Sequence, residues 1–320
     1  MRARIGLTGF VLAFFFSMTA ELWSNSKPLL MERKGTWFVP ALKSYPAAAF
    51  DVTDSFVVDF RELLNRDREA GLATRAWFPV NRWDPLEQTS GVLEAPSKVH
   101  WLGTDSLGRD VAARLLYGLR VSLSYGLLFW ILSLFIGTSV GCIQGYFGGK
   151  VDFFTERSKE LIEILPFLSV VILVNGLMKA DSFWITLFVV VLFSWVGIAS
   201  QLRAQVLSLR NREFCEAARA AGAGNARIIF THVLPNALTP VLTLTPFIVS
   251  GGITTLAVLD YLGFGLSPPT PSLGELLQQG RTNIQNAAWL LIAPTAALSW
   301  LLISINLIGE SLREAFDPRK

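Results

Sequence analysis

Charge is scarce in this chain. Asp, Glu, Lys and Arg together make up 17% of its 320 residues, against about 25% in an ordinary soluble domain. With 52% apolar residues gathered into long runs, that shortage points to a protein that threads a membrane several times. Net charge is only +3, and no basic cluster with interleaved aromatics offers a nucleic-acid surface. Cysteine is nearly absent. Cys142 and Cys215 have no metal-ligand spacing and predict no disulfide, so they read as small apolar side chains. The two histidines, His100 and His232, are far apart; a lone histidine reads as a hydrogen-bonded structural residue, and for His232 packing or a partner contact is expected rather than catalysis. No HExxH, no GxSxG and no phosphate loop occurs; Val151 follows Lys150 where a phosphate loop needs Ser or Thr. Ionisable residues avoid the middles of the apolar runs, where proton-coupled carriers and ion pumps need them. These absences leave no catalytic residue and no metal site to assign. They favour a transport pathway powered from elsewhere over an enzyme.

What is present is a series of apolar runs at 5–20, 121–146, 153–178, 183–200, 237–259 and 287–309. They predict an all-α polytopic membrane protein with about six transmembrane helices. The first run follows Arg2 and Arg4 and reads as a retained span; Met18-Thr19-Ala20 also fits a signal-peptide cleavage site loosely. Residues 25–120 form a polar external insertion, with strand-like pieces at 37–39 and 56–58. Asp110 is placed to cap an amphipathic interfacial helix ahead of the second run. Gly126, Gly137, Gly141 and Gly145 lay a small-residue face along the second run, suited to close helix packing. The start of the third run carries Glu156, Arg157, Lys159, Glu160 and Glu163, which read as facing opposite charges at helical spacing. Residues 260–285, with Pro268, Pro269 and Pro271 and with Gly263, Gly265 and Gly274 among their glycines, predict a rigid loop without regular structure. The domain reading is 1–24 for the first span, 25–120 for the insertion and 121–320 for a five-helix core with a polar loop at 202–236.

That loop is the most informative stretch. Residues 213–221 hold good helix formers, Gly222 and Gly224 permit a reversal, and 226–234 resume a helix that Pro235 is expected to end. Ala217, Ala218, Ala220 and Ala221 give the first helix a small face that a partner surface can approach. Arg203, Arg210, Arg212, Arg219 and Arg227 lie on the loop or just before it. The short loops expected on the other side carry only Lys179 and Arg281, so this one is expected in the cytoplasm.

Glu216, Ala217 and Ala218, then Gly222, Ile229, Leu234 and Pro235, resemble the EAA loop of the membrane subunits of bacterial ATP-binding cassette importers. Further segments resemble the dipeptide and oligopeptide permeases of that family. They are Gly103-Thr104-Asp105 with Gly108-Arg109-Asp110, the turn 145–152, the loop around Gly263 and Gly274, and the C-terminal Asn306 and Gly309 with Asp317-Pro318-Arg319. Residues 27–30 and 35–38 resemble the long insertion of the microcin C and oligopeptide subgroup. The resemblance covers 101–320 most fully. It implies a permease in the bacterial inner membrane, with cytoplasmic termini and a periplasmic insertion. It implies partners: a second permease, two ATP-binding subunits or one with two ATPase domains, and a periplasmic substrate-binding protein. It implies no cofactor on this chain, with ATP and Mg used by the ATPase partners, and a coupling role for the loop. The expected cargo is a peptide or peptide-like compound. Nickel or another small solute is the alternative, and a membrane sensor outside the transporter class is another.

Overall fold

In the computed structural model, residues 2–52, 58–178 and 183–316 are described. Residues 56 and 57 of the expected strand, Lys179 and the C-terminal Asp317-Pro318-Arg319 lie outside them. Helices dominate. In chain order they are α1 (Arg2–Met18), α2 (Ala20–Trp23), α3 (Phe60–Glu69), α4 (Val111–Phe147), α5 (Gly149–Ile164), α6 (Phe167–Met178) and α7 (Phe183–Leu209). Then come α8 (Glu213–Ala220), α9 (Asn225–Arg227), α10 (Leu234–Leu242), α11 (Thr245–Tyr261), α12 (Leu273–Thr282) and α13 (Trp289–Ala315). Three strands, β1 (Leu30–Arg33), β2 (Thr36–Phe38) and β3 (Arg75–Trp77), complete the elements used below. The chain divides into two compact units, one of 1–10, 122–268 and 299–320, the other of 11–121 and 269–298.

Among the described residues α4, α7 and α13 are each long and apolar enough to cross a membrane. Two further pairs qualify if each is one bent span: α5 with α6, bent by 75°, and 225–242 with α11, bent by 56°. Proline causes both bends. Leu165 is extended ahead of Pro166, as a residue preceding proline prefers, and Pro246 opens α11 without an N–H to give. α1 has 17 residues, about the shortest length that spans hydrocarbon.

Three expectations need correction. The interfacial helix and the second run are one helix, α4, of 37 residues, about 55 Å long at 1.5 Å per residue and so longer than the hydrocarbon core. Pro235 does not end a helix. Ile228–Val233 form a π turn in which Leu234 N–H reaches back five residues to the Ile229 carbonyl, and α10 continues through the proline. The wider turn fits a residue that has no N–H to donate. Finally, the proline-rich segment 260–285 is not free of regular structure, because α12 forms within it. Ser272 caps that helix by accepting from the N–H groups of Gly274 and Glu275.

In the unit of 122–268, the small face of α4 lies on α7. A Cβ on Gly141 would stand 2.4 Å from the Ala199 carbonyl oxygen; one on Gly137 or Gly145 would press into Ile198 or Val206. Ser133 and Ser194 hydroxyls meet at 2.6 Å across the same two helices. Where these helices approach the hairpin, Arg203 on α7 holds both oxygens of Asp152 on α5, at 2.5 and 2.6 Å.

The unit of 11–121 contains the small antiparallel sheet, in the order β2-β1-β3. Lys34 and Gly35, both at positive φ, make the two-residue turn from β1 to β2, with Arg33 opposite Thr36. Alternation puts Met31 inward against Phe50, Phe60 and Leu63. It also puts Arg33 inward, where Asp67 on α3 takes its guanidinium with both oxygens, at 2.8 and 2.9 Å, and accepts from the Thr74 hydroxyl at 2.7 Å. The Arg33 guanidinium, and after it the Thr74 hydroxyl, hold the Asp67 carboxyl below its ordinary 3.8 against the opposing effect of burial.

Two outcomes follow. Gly141→Ala should destabilise the solubilised chain by about 1–3 kcal/mol, because the facing backbone cannot yield. Gly197→Ala, where a Cβ meets nothing within 4 Å, should be neutral or stabilising by up to about 1 kcal/mol; paired thermal melts check both. Because folding lowers the Asp67 pKa, its contribution is complete above the unfolded value and lost as pH falls through the folded one. The melting gap between wild type and Asp67→Asn should stay constant from neutrality down to about pH 5 and narrow below about pH 4.

Candidate functional site

The hairpin 213–236 stands on a small apolar base. Cys215 on α8 and Ile228 and Val233 on the returning helix are fully buried, packed with Cys142, Leu202, Val206 and Ala237. Burial pushes the Cys215 thiol up, so it is an inert packing group. The rest of α8 faces outward: Glu216 and Ala217 are exposed and Ala218 is half-buried. The reversal is fixed by backbone geometry. Gly222 has φ +83, its N–H donates to the Arg219 carbonyl at 2.9 Å, and Ala223 N–H donates to the Ala218 carbonyl at 2.9 Å. This is a Schellman cap, which uses a left-handed residue to satisfy the last carbonyls of a helix. A Cβ on Gly222 would meet no atom within 4 Å, so φ alone demands glycine there.

Tyr146, which the sequence did not single out, and two of the loop's arginines fasten this hairpin to its base. Tyr146, near the end of α4, donates its hydroxyl to Asn225 Oδ1 at 2.9 Å. Arg210 donates to the carbonyls of Gly145 and Tyr146, both at 3.2 Å, and Arg219 donates to the Arg210 carbonyl at 3.1 Å. Ile229 and Leu234 pack against the base and Pro235 is exposed. The structure thus assembles Glu216, Ala217, Ala218, Gly222, Ile229, Leu234 and Pro235 into one element, with a buried underside and a bare α8 surface of small side chains flanked by Glu213, Glu216 and Arg219.

The other singled-out residues fall in separate places. In the unit of 122–268, Gly263 has φ +80 and closes α11 with the same pair of backbone bonds, Gly263 to Asp260 and Phe264 to Leu259. Asp260 Oδ1 accepts from Leu266 N–H at 2.6 Å. Asn306 on α13 accepts from Ser250 at 3.1 Å, and Gly309 leaves room for Phe247. In the unit of 11–121 and 269–298, Gly103 and Gly108 are both left-handed turn residues, and Asp110 caps α4 through Ala113 N–H at 2.8 Å. Asp105, Arg109 and Asp110 are buried there. Asp105 accepts from the backbone of Leu107 and Arg109, each at 2.9 Å, and from Arg109 Nε at 2.7 Å.

A buried ionic cluster completes this second region. Glu275 on α12, close to Gly274, accepts from Arg109 at 2.8 Å and from Arg114, whose side chain is fully buried. Two carboxylates thus face two guanidiniums. Beside them Asp110 takes Asn81 Nδ2 at 2.9 Å and His100 Nδ1 at 2.9 Å, so His100 is the hydrogen-bonded structural histidine expected. Sequence reading passed over Arg114 and Glu275. The one available signal was Ser272 followed three residues later by Glu275, the pattern of a capping box. Among the described residues no group of three metal-ligating side chains comes together.

Comparison with known proteins places these features. Residues 137–320 match the family described as binding-protein-dependent transport system inner membrane component. The chain is 39% identical over 314 residues to the inner membrane ABC transporter permease protein YejE of Escherichia coli K12, covering 97% of this chain and 92% of that protein. It is 37% identical over 340 residues to the peptidoglycan transport system permease protein YejE of Agrobacterium fabrum C58, covering 97% and 88%. The oligopeptide transport system permease protein OppC of Haemophilus influenzae Rd is 39% identical over 243 residues, covering 76% and 78%. Among solved structures, the inward-facing MetNI methionine ABC transporter matches with TM-score 0.52 and 18% identity over 63% of this chain and 95% of that one; that likeness is one of fold.

The ionic cluster makes its own testable statement. Glu275→Ala should cost about 3–5 kcal/mol, because it leaves two buried guanidiniums facing a single carboxylate. A thermal melt of the solubilised chain checks it; a shift no larger than that of an exposed variant such as Glu94→Ala would show that the cluster carries no such burden.

Proposed function

The chain belongs to the binding-protein-dependent transport system inner membrane components, and from that premise we propose that it is the permease subunit of an ATP-binding cassette importer for peptides or peptide-like compounds. In this reading it pairs with a second permease, draws power from two ATP-binding subunits or one with two ATPase domains, and receives cargo from a periplasmic binding protein. ATP and Mg belong to the ATPase partners. Both termini and the hairpin lie in the cytoplasm, and the insertion lies in the periplasm. The arginines at 203, 210, 212, 219 and 227 support that orientation, and the peptide and oligopeptide permeases among the relatives support the cargo.

The observation that carries the mechanism is the bare face of α8 on an anchored base. Glu216 and Ala217 are exposed, while Cys215, Ile228 and Val233 beneath them are fully buried. Such an element takes load at its surface and passes it to α4 and α7 through Tyr146, Asn225 and Arg210. Coupling then requires only that the ATPase contact α8 differently in its open and closed states, a differential worth about 1–3 kcal/mol in typical allosteric systems. Glu216, Ala217, Ala218 and Gly222 are the contact residues in this proposal, and Ile229, Leu234 and Pro235 its support.

The experiment combines recovery and uptake. The tagged, solubilised chain should bring down a second permease and an ATPase. Gly222→Pro cannot adopt φ +83 and loses the N–H to Arg219, so it should lower ATP-dependent peptide uptake at least about tenfold while the chain still reaches the membrane. Gly222→Ala, which pays about 1–2 kcal/mol for the left-handed conformation, should be intermediate. Undiminished uptake in Gly222→Pro would remove the hairpin from the coupling path, and recovery of neither partner would favour a sensor. Transport of nickel in place of peptides would reassign the cargo alone.

A further inference from the structure

We propose that the unit of 11–121 and 269–298 carries a binding trough for acidic peptides, meaning extended chains with several carboxylates, on the part of the insertion built from α3, β3 and the segments 78–83 and 98–101. The inference stands apart from the transport reading, because it concerns binding to this chain alone. Two adjoining cavities of about 520 and 620 Å³ share Leu64, Arg68, Phe78 and Arg82 in their walls. Lys98 belongs to the first and Arg75 to the second. Among the described residues no carboxylate lines either cavity. Arg68, Arg75, Arg82 and Lys98 are all exposed and make no ion pair among the described residues.

One end of the trough is preorganised. Trp83 donates Nε1 to the Val99 carbonyl at 3.0 Å, its ring is stacked with His100 at 4.5 Å between centroids, and the Arg61 guanidinium stands 4.1 Å from its centroid. Arg61 is itself committed, to Glu87 at 3.0 Å and to the Arg82 carbonyl. The four remaining cations therefore face solvent from a fixed wall. Like charges gathered on a concave surface raise the local potential for anions, and guanidinium forks match carboxylates with two parallel hydrogen bonds.

The spacing selects the ligand. Arg68 and Arg82 border both cavities, while Lys98 borders only the first and Arg75 only the second, so the positive charge extends over two adjoining cavities. A ligand that meets them carries several anions along an extended chain. Phe78, Val80 and Trp101 share the wall of the first cavity with the charges, offering apolar contact to side chains that alternate with the carboxylates.

The test uses the full solubilised chain without nucleotide or partners. The probe is a labelled hexapeptide of alternating Glu and Leu, compared with its Gln-Leu counterpart. The acidic peptide should bind at least about tenfold more tightly, a difference of about 1.4 kcal/mol, and weaken with added salt. Arg68→Gln with Arg82→Gln should abolish most of that difference. Arg66→Gln, which removes an exposed charge from the same helix outside both cavities, should change affinity less than about twofold. If the double variant melts lower than wild type, Lys98→Gln, in an exposed loop, is expected to show the same loss in direction. Equal binding of the two peptides, or unchanged affinity in the double variant and in Lys98→Gln, would overturn the proposal. So would displacement of the peptide by inorganic phosphate or by hexathymidylate at the peptide's own concentration.

Discussion

Gly137, Gly141 and Gly145 bring the backbone of α4 into van der Waals reach of α7, and everything nearer the hairpin is built on that approach. Within hydrocarbon, helices gain no hydrophobic advantage by associating, so close packing at small residues supplies much of the attraction. The stripe also fixes register. With Gly141 against Ala199, Tyr146 arrives beside the hairpin and meets Asn225, while Arg203 arrives beside Asp152. Lys159, almost wholly buried, links α5 to the same helix through Ser200 at 2.9 Å. A residue with a side chain at the centre of the stripe would push apart helices on which all of these contacts depend.

Backbone accounting explains the two turns that close this framework. α8 and α11 are both closed by a left-handed glycine, Gly222 and Gly263, and in both the glycine N–H and the next N–H turn back to the final carbonyls. Each cap satisfies polar groups that would otherwise be stranded at a helix end. The π turn at Ile228–Val233 solves the complementary problem of a proline inside a helix. It keeps the hairpin continuous with α10, so that a displacement of α8 is handed to a helix packed on α7 rather than lost in a loop. This continuity is what a proposed coupling element requires, and a helix ending at Pro235 would lack it.

The legible parts of this protein were the local ones. Residues 213–222 carried their conformation in their own chemistry: helix formers, then a glycine at the one position that needs positive φ. The glycine stripe was legible for the same reason, since periodicity along one helix shows which residues share a face. Failure came where a distant residue decides. The apolar run begins at 121, whereas α4 begins at Val111 and includes Arg114, answered by Glu275, 161 residues away, and Arg120, answered by Glu21, 99 residues away. No spacing rule reaches that far. α12 was hidden differently, because the prolines and glycines ahead of it outweighed the short capping signal of Ser272 and Glu275.

The same ionic cluster raises the question of why burial is spent on charge at all. Buried ion pairs add little net stability once desolvation is counted, and apolar replacements of similar volume often do as well. Asp105, Arg109, Arg114 and Glu275 do something an apolar patch cannot, because each hydrogen bond has a direction. Asp105 holds the turn 105–109 by its backbone N–H groups and the Arg109 side chain at once. Glu275 takes one guanidinium with each oxygen, which leaves α12 a single rotational setting against the start of α4. An apolar contact of equal area would tolerate sliding by a fraction of a turn. On this account the charges are kept for register: they position a short helix that also rests on Leu276 and its apolar neighbours Val111, Ala287 and Leu290 and on the bonds from Ser106 to Gln279 Oε1, with a definition that apolar packing alone does not provide.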